Sequence, residues 1–503
     1  KRGIAPQVPR WISANCIQCN QCSLVCPHAA IRAKQIEPAQ LAKAPAAFKT
    51  VKSNTKNEKS LEYKVQVYIE DCTGCGNCVH VCPAKTKALE FHAIEEERRA
   101  GEAENARFFD DLPDNILDGT TLSQFKGVQF RKPLFEFSGA CAGCGETPYI
   151  KLASQLFGER MIIANATGCS SIYGGTFPTT PYCVGKDGRG PAWANSLFED
   201  NAEYGLGMRL AVDANRKLLR AAIDRLLAAG TDKKLEAALK KCLELWSATG
   251  DDAQAAAQAL RGLLPAALKA APAEKQADLR KVIELQDYLV DKSVWCIGGD
   301  GWAYDIGYGG LDHVLATGKN VNVLVLDTEV YSNTGGQASK STMLSAVAQF
   351  ASAGKRTGKK DLGLMCMSYG YVYVASVAHG ANMNQLVKAF LEAEAYPGPS
   401  IIIAYSPCIN HGIDMSKSQA EQKLAVDTGY WINYRFNPLL AKEGKNPLQL
   451  DSKEPKLEYE AFLKNETRYK TLVQQYPDIA KELFARAAEE SRKRYASYKK
   501  MAE

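Results

Sequence analysis

Short apolar runs, separated by longer polar or helical segments, dominate the chain from about residue 134 onward. A strand buried on both faces loses its alternation of apolar and polar residues, so these runs predict strands of a parallel sheet. They lie at 161–164, 294–297, 321–326, 364–367 and 401–404. Helical spacing is present over 374–394, over the Ala- and Leu-rich residues 200–290 and over the charged stretch 459–502. The pattern predicts an open, mostly parallel α/β domain over 134–503, with a helical insertion at about 200–290 and C-terminal helices along the surface.

The first part of the chain shows a different pattern. Residues 63–69 alternate between apolar and polar side chains, which predicts a strand. Residues 32–62 are rich in Lys, Ala and Pro and are predicted to form a surface insertion. A charged run, followed by a segment with Asp, Pro and Gly, predicts a linker over 96–133. Residues 1–95 are therefore predicted to form a small α+β domain that carries the insertion.

Composition changes this picture little. The chain has 503 residues, of which 46% are hydrophobic and 23% charged, the balance of an ordinary globular protein. The net charge of +6 is spread along the chain, so the sequence does not indicate nucleic acid binding. No apolar run approaches the roughly 18 residues of a membrane span. With no signal peptide and a first residue, Lys1, that is not Met, we expect a cytoplasmic chain that begins inside a longer coding sequence or has been processed.

Two cysteine runs have the same spacing, C-x-x-C-x-x-C-x-x-x-C-P, and end at Pro27 and Pro83. This is the bacterial ferredoxin pattern, in which three cysteines of one run and the fourth of the other hold a [4Fe–4S] cluster. We number the run that ends at Pro27 as run 1 and the run that ends at Pro83 as run 2. The run-1 set is therefore Cys16, Cys19, Cys22 and Cys82. The run-2 set is Cys26, Cys72, Cys75 and Cys78. Structural zinc uses separated pairs or Cys/His sets, and disulfides do not suit a chain without a secretory signal, so both alternatives are disfavoured.

A further C-x-x-C pair, Cys141 and Cys144, lies among small residues at 138–146. Alone, such a pair would equally suit a redox or zinc site. Cys169 and Cys408 each follow a predicted strand, and the carboxyl ends of parallel strands meet at one crevice. These four cysteines, the third cysteine set, could therefore hold a third [4Fe–4S] cluster. The other four are predicted to be buried apolar thiols: Cys183, Cys242, Cys296 and Cys366.

A Gly-Asp-Gly turn, residues Gly299, Asp300 and Gly301, follows one predicted strand, and Thr328 follows the next. This arrangement resembles the diphosphate motif of the thiamine diphosphate fold, in which the diphosphate is bound through Mg²⁺, an ion that prefers oxygen ligands. Asp300 would supply a carboxylate and Thr328 a hydroxyl, where the usual motif has Asn. The glycines would let the backbone approach the phosphates. A Gly-rich turn with a helix-capping Asp is the alternative.

Together these motifs resemble the C-terminal part of the pyruvate:ferredoxin (flavodoxin) oxidoreductases over essentially the whole chain. The resemblance implies that the third cysteine set ligates a cluster beside thiamine diphosphate. It implies Mg²⁺ on Asp300, Thr328 and the backbone carbonyl of Val330. Asn333 is implied to contact substrate or the reactive end of the cofactor. The implied cofactor-binding residues are Gly168, Cys169, Gly299, Asp300, Gly301, Thr328, Val330 and Asn333.

The function implied by the resemblance is the oxidative decarboxylation of pyruvate with coenzyme A to acetyl-CoA and CO₂. Electrons would pass through three [4Fe–4S] clusters to ferredoxin or flavodoxin. The aminopyrimidine and pyruvate sites are expected on upstream domains or a separate subunit, and the complete enzyme is expected to be a homodimer. Two alternatives stay open: an oxidoreductase for 2-oxoglutarate, a branched 2-oxoacid or indolepyruvate, and an electron-transfer module without catalysis.

Overall fold

The computed structural model describes residues 2–55, 60–114, 121–175 and 180–503. The first part of the chain contains strands β1 (Gln7–Trp11), β2 (Ile31–Ile36), β3 (Val51–Lys52), β4 (Glu62–Val67) and β5 (Leu89–Ala93). Its helices are α1 (Gln21–Val25), α2 (Asn77–Val81), α3 (Ile94–Arg99), α4 (Glu102–Asp111) and α5 (Phe125–Val128). β1 pairs antiparallel with β5, and β2, β4 and β3 form a second antiparallel sheet in that order. Helices α1 and α2 each lie inside a cysteine run, so each run is half loop and half helix.

The prediction of a surface insertion at 32–62 is wrong in its first part. β2 is buried along its whole length and pairs with β4 from Ile31 opposite Val67 to Ile36 opposite Glu62. Its charged residues predict an exposed segment, but the charged ends of these side chains have partners inside the protein. Arg32, for example, pairs with Glu136. β2 is thus a buried edge strand of the sheet β2-β4-β3 in the ferredoxin-like part.

The predicted linker over 96–133 is also more structured than expected. It contains most of α3 and all of α4 and α5. Phe109, Leu112 and Phe130 are buried in the core of the first part, together with Tyr63 and Val65 of β4. The segment therefore completes this core rather than only wrapping over its surface.

The second part of the chain is built on a larger sheet. Its strands are β6 (Met161–Ala166), β7 (Ala192–Ser196), β8 (Ser293–Gly299), β9 (Asn322–Asp327), β10 (Val330–Tyr331), β11 (Gln337–Ala338), β12 (Tyr373–Val377), β13 (Ser400–Tyr405), β14 (Tyr434–Phe436) and β15 (Leu448–Leu450). Within the described residues the sheet has eight strands in the order β15-β14-β12-β13-β9-β8-β6-β7. The six strands from β12 to β7 are parallel, and β14 and β15 form an antiparallel edge. The fold class is the mixed α/β architecture that the apolar runs predict, and β10 and β11 form a separate small hairpin.

Helices cover both faces of this sheet. The helices of this part are α6 (Thr147–Phe157), α7 (Cys169–Gly174), α8 (Asn201–Ala228), α9 (Lys233–Glu244), α10 (Asp251–Ala270), α11 (Ala273–Glu284), α12 (Tyr308–Ala316), α13 (Leu362–Met367), α14 (Met383–Ala395), α15 (Ser418–Asp427), α16 (Leu439–Lys442), α17 (Tyr459–Leu463), α18 (Thr467–Gln475) and α19 (Pro477–Ala502). Helices α8 to α11 occupy the predicted helical insertion and share an apolar core of their own. Among the residues that the structure describes, no helix is both long and apolar enough to cross a membrane.

One predicted strand is a helix. Residues 364–367 belong to α13, and the neighbouring strand is β12, in a stretch predicted as helical. Leu364 to Met367 has no β-branched residue, and the Asp361 side chain caps α13 by accepting from the Leu364 N–H. β12 holds two valines and a tyrosine, which favour a strand. The helix cap and the lack of β-branched residues therefore favour a helix at 364–367, and the valines favour a strand at β12, although both runs are apolar.

Candidate functional site

Four adjacent parallel strands deliver the predicted site residues to one edge of the sheet. Cys169 follows β6, Asp300 follows β8, Thr328 follows β9, and Cys408 comes three residues after the end of β13. These strands are neighbours in the order β13-β9-β8-β6. Because the carboxyl ends of parallel strands open into one crevice, the sheet itself brings these side chains together.

The third cysteine set lies in a single cavity of about 160 Å³ at this edge. All four cysteines line it, together with Thr328, Ser332 and the exposed Asn333. The Sγ of Cys169 is 3.2 Å from the Oγ of Ser332. The structure thus places the third set, the predicted magnesium ligand Thr328 and the predicted catalytic Asn333 around one space.

The electrostatics of this cavity suit an iron–sulfur cluster. Burial, and next the charge of Glu146, raise the pKa of Cys144 well above its ordinary value. The pKa values of Cys169 and Cys408 are raised too, with burial as the main cause and other thiols of the set contributing. Burial also raises the pKa of Glu146, to about 7. The set offers four soft sulfur donors, and the raised pKa values of Cys144, Cys169 and Cys408 mean that their thiolates need a nearby cation, a charge that iron would supply.

In the structure, the cysteines of the two ferredoxin-type runs form two groups, and each group contains cysteines from both runs. In the run-1 set, burial and then the other three thiols, including Cys82, raise the pKa of Cys22. In the run-2 set, burial and then the other three thiols, including Cys26, raise the pKa of Cys78. The fourth cysteine of each run therefore lies with the first three of the other run, as the two sets group them. All of these cysteines are free of disulfides.

The run-2 set adjoins the loop of the third cysteine set. The backbone of Gly143 hydrogen-bonds to the Cys75 thiol. The ring of His28 bridges the same two loops, with Nε2 2.9 Å from the Ala140 carbonyl oxygen and Nδ1 3.3 Å from the Thr73 hydroxyl. Burial lowers the pKa of His28 to about 4, so its ring is neutral near pH 7. Cys22 of the run-1 set is in turn an electrostatic neighbour of the run-2 set.

The predicted magnesium ligands converge on one point. The Thr328 hydroxyl lies 3.0 Å from Oδ1 of Asp300 and 3.0 Å from the carbonyl oxygen of Val330. The hydroxyl of Ser339, a residue that no sequence motif predicts, donates to Oδ2 of Asp300 at 2.6 Å. Burial, and next repulsion from Asp327, raise the pKa of Asp300 well above its ordinary value. A carboxyl, a hydroxyl and a carbonyl form the hard oxygen set that Mg²⁺ prefers, and a divalent cation would offset this buried charge.

The two glycines that flank Asp300 differ in their surroundings. A Cβ added to Gly299 would meet only the Leu326 carbonyl oxygen, at 3.9 Å. A Cβ added to Gly301 would lie 2.4 Å from the ring of Tyr331. We predicted that both glycines allow a close approach of phosphate. At Gly301 the structure gives a second reason for glycine, which is that the Tyr331 ring fills the space of a side chain.

A buried ionic network supports the loop between Asp327 and Val330. Nζ of Lys359 lies 2.7 Å from Asp327 and 3.2 Å from Glu329. Arg468 of α18 lies 2.7 Å from the other carboxylate oxygen of Glu329, to which the Tyr430 hydroxyl also donates. Although burial opposes ionisation, Lys359 and Arg468 lower the pKa of Glu329 to about 2. No local pattern in the sequence predicts this network, because Arg468 belongs to a stretch predicted to pack along the surface.

His411 joins the loop of Cys408 to the magnesium loop. Its Nε2 donates to the carbonyl of Thr328 at 2.7 Å, and its Nδ1 accepts from the N–H of Cys408 at 3.4 Å. Burial lowers the pKa of His411 to about 3, so the ring is neutral and can do both. The histidine is a hydrogen-bonded structural residue that fixes the two loops relative to each other.

The cysteines outside the three sets lie apart from the site. Cys242, Cys296 and Cys366 are buried thiols, as predicted. Cys183 is only partly buried, and its Sγ lies 3.7 Å from the carbonyl oxygen of Pro133.

Comparisons with known proteins agree with this two-part organisation. A 4Fe-4S dicluster domain model matches residues 15–86, and the C-terminal TPP binding domain of thiamine pyrophosphate enzymes matches residues 267–404. Pyruvate:ferredoxin oxidoreductase from Moorella thermoacetica is 57% identical over the whole of this chain and 43% of its own length. Pyruvate-flavodoxin oxidoreductase from Trichormus variabilis is 53% identical over the whole chain and 42% of its own length.

Among solved structures, 2-oxoglutarate:ferredoxin oxidoreductase from Magnetococcus marinus overlaps 54% of this chain and 65% of its own chain. Its identity is 14% and its TM-score 0.32, too low to establish a shared fold. The chain spans less than half the length of the two curated relatives that it matches. It combines a 4Fe-4S dicluster domain with a thiamine pyrophosphate-binding domain, and from end to end it corresponds to the C-terminal part of the pyruvate:ferredoxin and pyruvate-flavodoxin oxidoreductases.

Proposed function

We propose that this chain is the cofactor-binding and electron-relay half of an enzyme that oxidises pyruvate with coenzyme A to acetyl-CoA and CO₂. The observation that carries the proposal is the cavity shared by the third cysteine set, Thr328 and Asn333. Asp300, Thr328 and the Val330 carbonyl would hold Mg²⁺, and the third set would hold a [4Fe–4S] cluster beside it. When bound, thiamine diphosphate supplies an electron sink for decarboxylation of the 2-oxoacid.

The chain's own residues position these groups. Asp300 and Thr328 would hold the cation at the ends of β8 and β9, where Gly299 leaves room for a phosphate. His411 hydrogen-bonds to the Thr328 carbonyl and the Cys408 N–H at the same time, so it fixes the position of the metal loop relative to the cluster loop. Asn333 stands at the exposed rim of the cavity, where substrate would enter.

The adjacency of the three cysteine sets supports an order for the electron relay. The third set borders the run-2 set through Gly143 and His28, and the run-2 set borders the run-1 set through Cys22 and Cys78. We therefore place the run-1 set last, where it would pass electrons to ferredoxin or flavodoxin. Each set would hold one [4Fe–4S] cluster, which makes three in all.

The remaining parts of the proposal rest on the relatives, which are more than twice as long as this chain. The aminopyrimidine and pyruvate sites would lie on the part of those proteins that this chain does not match, or on a partner subunit. We propose that coenzyme A is the co-substrate, that the complete enzyme is a homodimer and that it works in the cytoplasm.

Iron content tests the three-cluster assignment. We expect about twelve irons per chain in the anaerobically purified holoenzyme, because each cubane cluster holds four. Cys408→Ala should lower this to about eight and abolish pyruvate-dependent reduction of ferredoxin. The clusters of the two ferredoxin-type sets should still be reduced by dithionite. The measurements are iron and acid-labile sulfide quantitation, electron paramagnetic resonance and the reduction assay.

Cys183→Ala is the matched control, since Cys183 is a half-buried thiol outside all three sets. It should retain about twelve irons and normal turnover. An iron content of about eight in the unmodified holoenzyme would contradict the third cluster. Full pyruvate-dependent activity of Cys408→Ala would contradict its place in the relay.

A further inference from the structure

Lys151 is a fully buried lysine that joins the two parts of the chain. It lies on α6, and its Nζ donates to the carbonyl oxygens of Ser23, Leu24 and Cys26, the last two at 2.8 and 3.3 Å. These carbonyls stand at the C-terminal end of α1. Cys22 within α1 belongs to the run-1 set and Cys26 at its end to the run-2 set, so the ammonium group sits between the two sets.

Lys151 has no acidic partner among the residues that the structure describes. No carboxylate there forms an ion pair with its Nζ, and the titratable groups that act on it are Cys26, Arg32 and Cys22. A second buried lysine offers a direct comparison. Lys34 of β2 also donates to two backbone carbonyls, but it pairs with Asp114 at 3.1 Å. A buried cation without an anion is costly, so Lys151 needs a negative charge that the side chains do not provide.

The two ferredoxin-type sets would provide that charge. Four thiolates around a [4Fe–4S] core give the site a net negative charge, and each added electron makes it more negative. A fixed cation nearby therefore stabilises the reduced form more than the oxidised form, and local charge is one of the factors that set the potential of such clusters.

We propose that Lys151 is the counter-charge of the two ferredoxin-type clusters and raises their reduction potentials, with the larger effect on the run-2 cluster. The inference rests on the proposed function, since it requires clusters on both sets. The run-2 cluster is favoured because the Cys26 carbonyl itself accepts a hydrogen bond from Lys151. The third cluster should be affected least, because Lys151 is not among the charged neighbours of Cys144, Cys169 or Cys408.

A purely structural role is the alternative. Lysine donors to the last carbonyls of a helix are a common C-terminal cap, and here the cap also fastens α6 to α1. A cap affects folding and cluster retention, but it does not by itself move the potential of a cluster that is retained. The reduction potential is therefore the readout that separates a counter-charge from a cap.

The test is a redox titration of the holoenzyme that contains this chain, followed by electron paramagnetic resonance. Lys151→Met keeps the length of the side chain and removes the charge, and it should shift the potentials of the ferredoxin-type clusters to more negative values. Lys151→Arg keeps the charge and should restore potentials close to those of the wild type. Lys34→Met is the matched control and should leave them unchanged, because Asp114 already balances Lys34 and no cysteine is among its charged neighbours.

Potentials of Lys151→Met equal to those of the wild type would overturn the inference, and so would an equal shift in Lys34→Met. If Lys151→Met loses iron, Lys151→Gln provides a shorter neutral donor for the same titration. Loss of iron in both neutral variants but not in Lys151→Arg would support the counter-charge. Loss in all three would overturn it in favour of a steric role. Absence of ferredoxin-type cluster signals in the wild type would instead contradict the proposed function.

Discussion

Replacing Asp300 with Asn is expected to weaken binding of Mg²⁺ and thiamine diphosphate by at least about 100-fold, since even residues that only support a metal ligand cost 10- to 100-fold. Pyruvate-dependent reduction of ferredoxin should fall in parallel. The substitution removes the carboxylate that lies 3.0 Å from the Thr328 hydroxyl. The stability of the metal-free protein should not fall, because burial already raises the pKa of Asp300 and makes its ionised form unfavourable. Calorimetric binding, the ferredoxin reduction assay and thermal denaturation measure the three effects.

Asp305→Asn provides the matched control for this substitution. Asp305 lies five residues further along and pairs with Lys340 at 3.1 Å, and its carboxylate does not contact the Thr328 hydroxyl. Its replacement should leave cofactor affinity within a few-fold of the wild type. Retention of normal cofactor binding by Asp300→Asn would refute the magnesium assignment, and an equal loss in Asp305→Asn would show that the effect is not specific.

Arg468→Met is expected to lower the free energy of unfolding by about 3–5 kcal/mol, the usual cost of removing one partner of a buried ion pair. Arg468 contacts Glu329 at 2.7 Å and also pairs with Glu466, so its loss leaves both buried carboxylates short of a cation. Because Glu329 follows the magnesium ligand Thr328 directly, cofactor affinity should decrease as well. Anaerobic denaturation of the holoenzyme, with and without Mg²⁺ and thiamine diphosphate, measures both consequences.

Arg486→Met on the neighbouring helix α19 is the comparison for that substitution. Arg486 forms an exposed ion pair with Glu482 at 3.9 Å, and such pairs contribute at most about 1 kcal/mol. The double variant Arg468→Met/Glu329→Gln should lose less free energy of unfolding than the sum of the losses in the two single variants. The reason is that Gln removes the buried charge that is left without Arg468 as a partner. If the changes in the free energy of unfolding are strictly additive, the two side chains do not act as a pair.

The sequence predicted the parts of the site that rest on local spacing. The spacing within each cysteine run predicts three ligands of one cluster and the fourth ligand of the other. The structure accordingly places Cys82 with the first three cysteines of run 1 and Cys26 with the first three of run 2. The apolar runs also identified β6, β8, β9 and β13, and the ends of these strands define the crevice. In both cases the information lies within a few neighbouring residues.

The parts that escaped prediction depend on contacts between distant segments. Lys151, Lys359 and Arg468 each contact at least one partner that lies more than 25 residues away along the chain, so no local pattern distinguishes them from surface charges. The strand β2 escaped for the same reason. Its Lys and Arg residues predicted an exposed segment, whereas in the structure Lys34 pairs with Asp114 and Arg32 pairs with Glu136.

The crossing of the fourth cysteines has a consequence for biosynthesis. Under the proposed assignment, the run-1 cluster needs Cys82, and the run-2 cluster combines Cys26 with three later cysteines. Neither cluster site has its four sulfurs until the ribosome has released both runs and the β2–β4 pairing between them has formed. Each site is therefore completed only after the second run has been synthesised, and a truncation between the runs should yield a chain without either ferredoxin-type cluster.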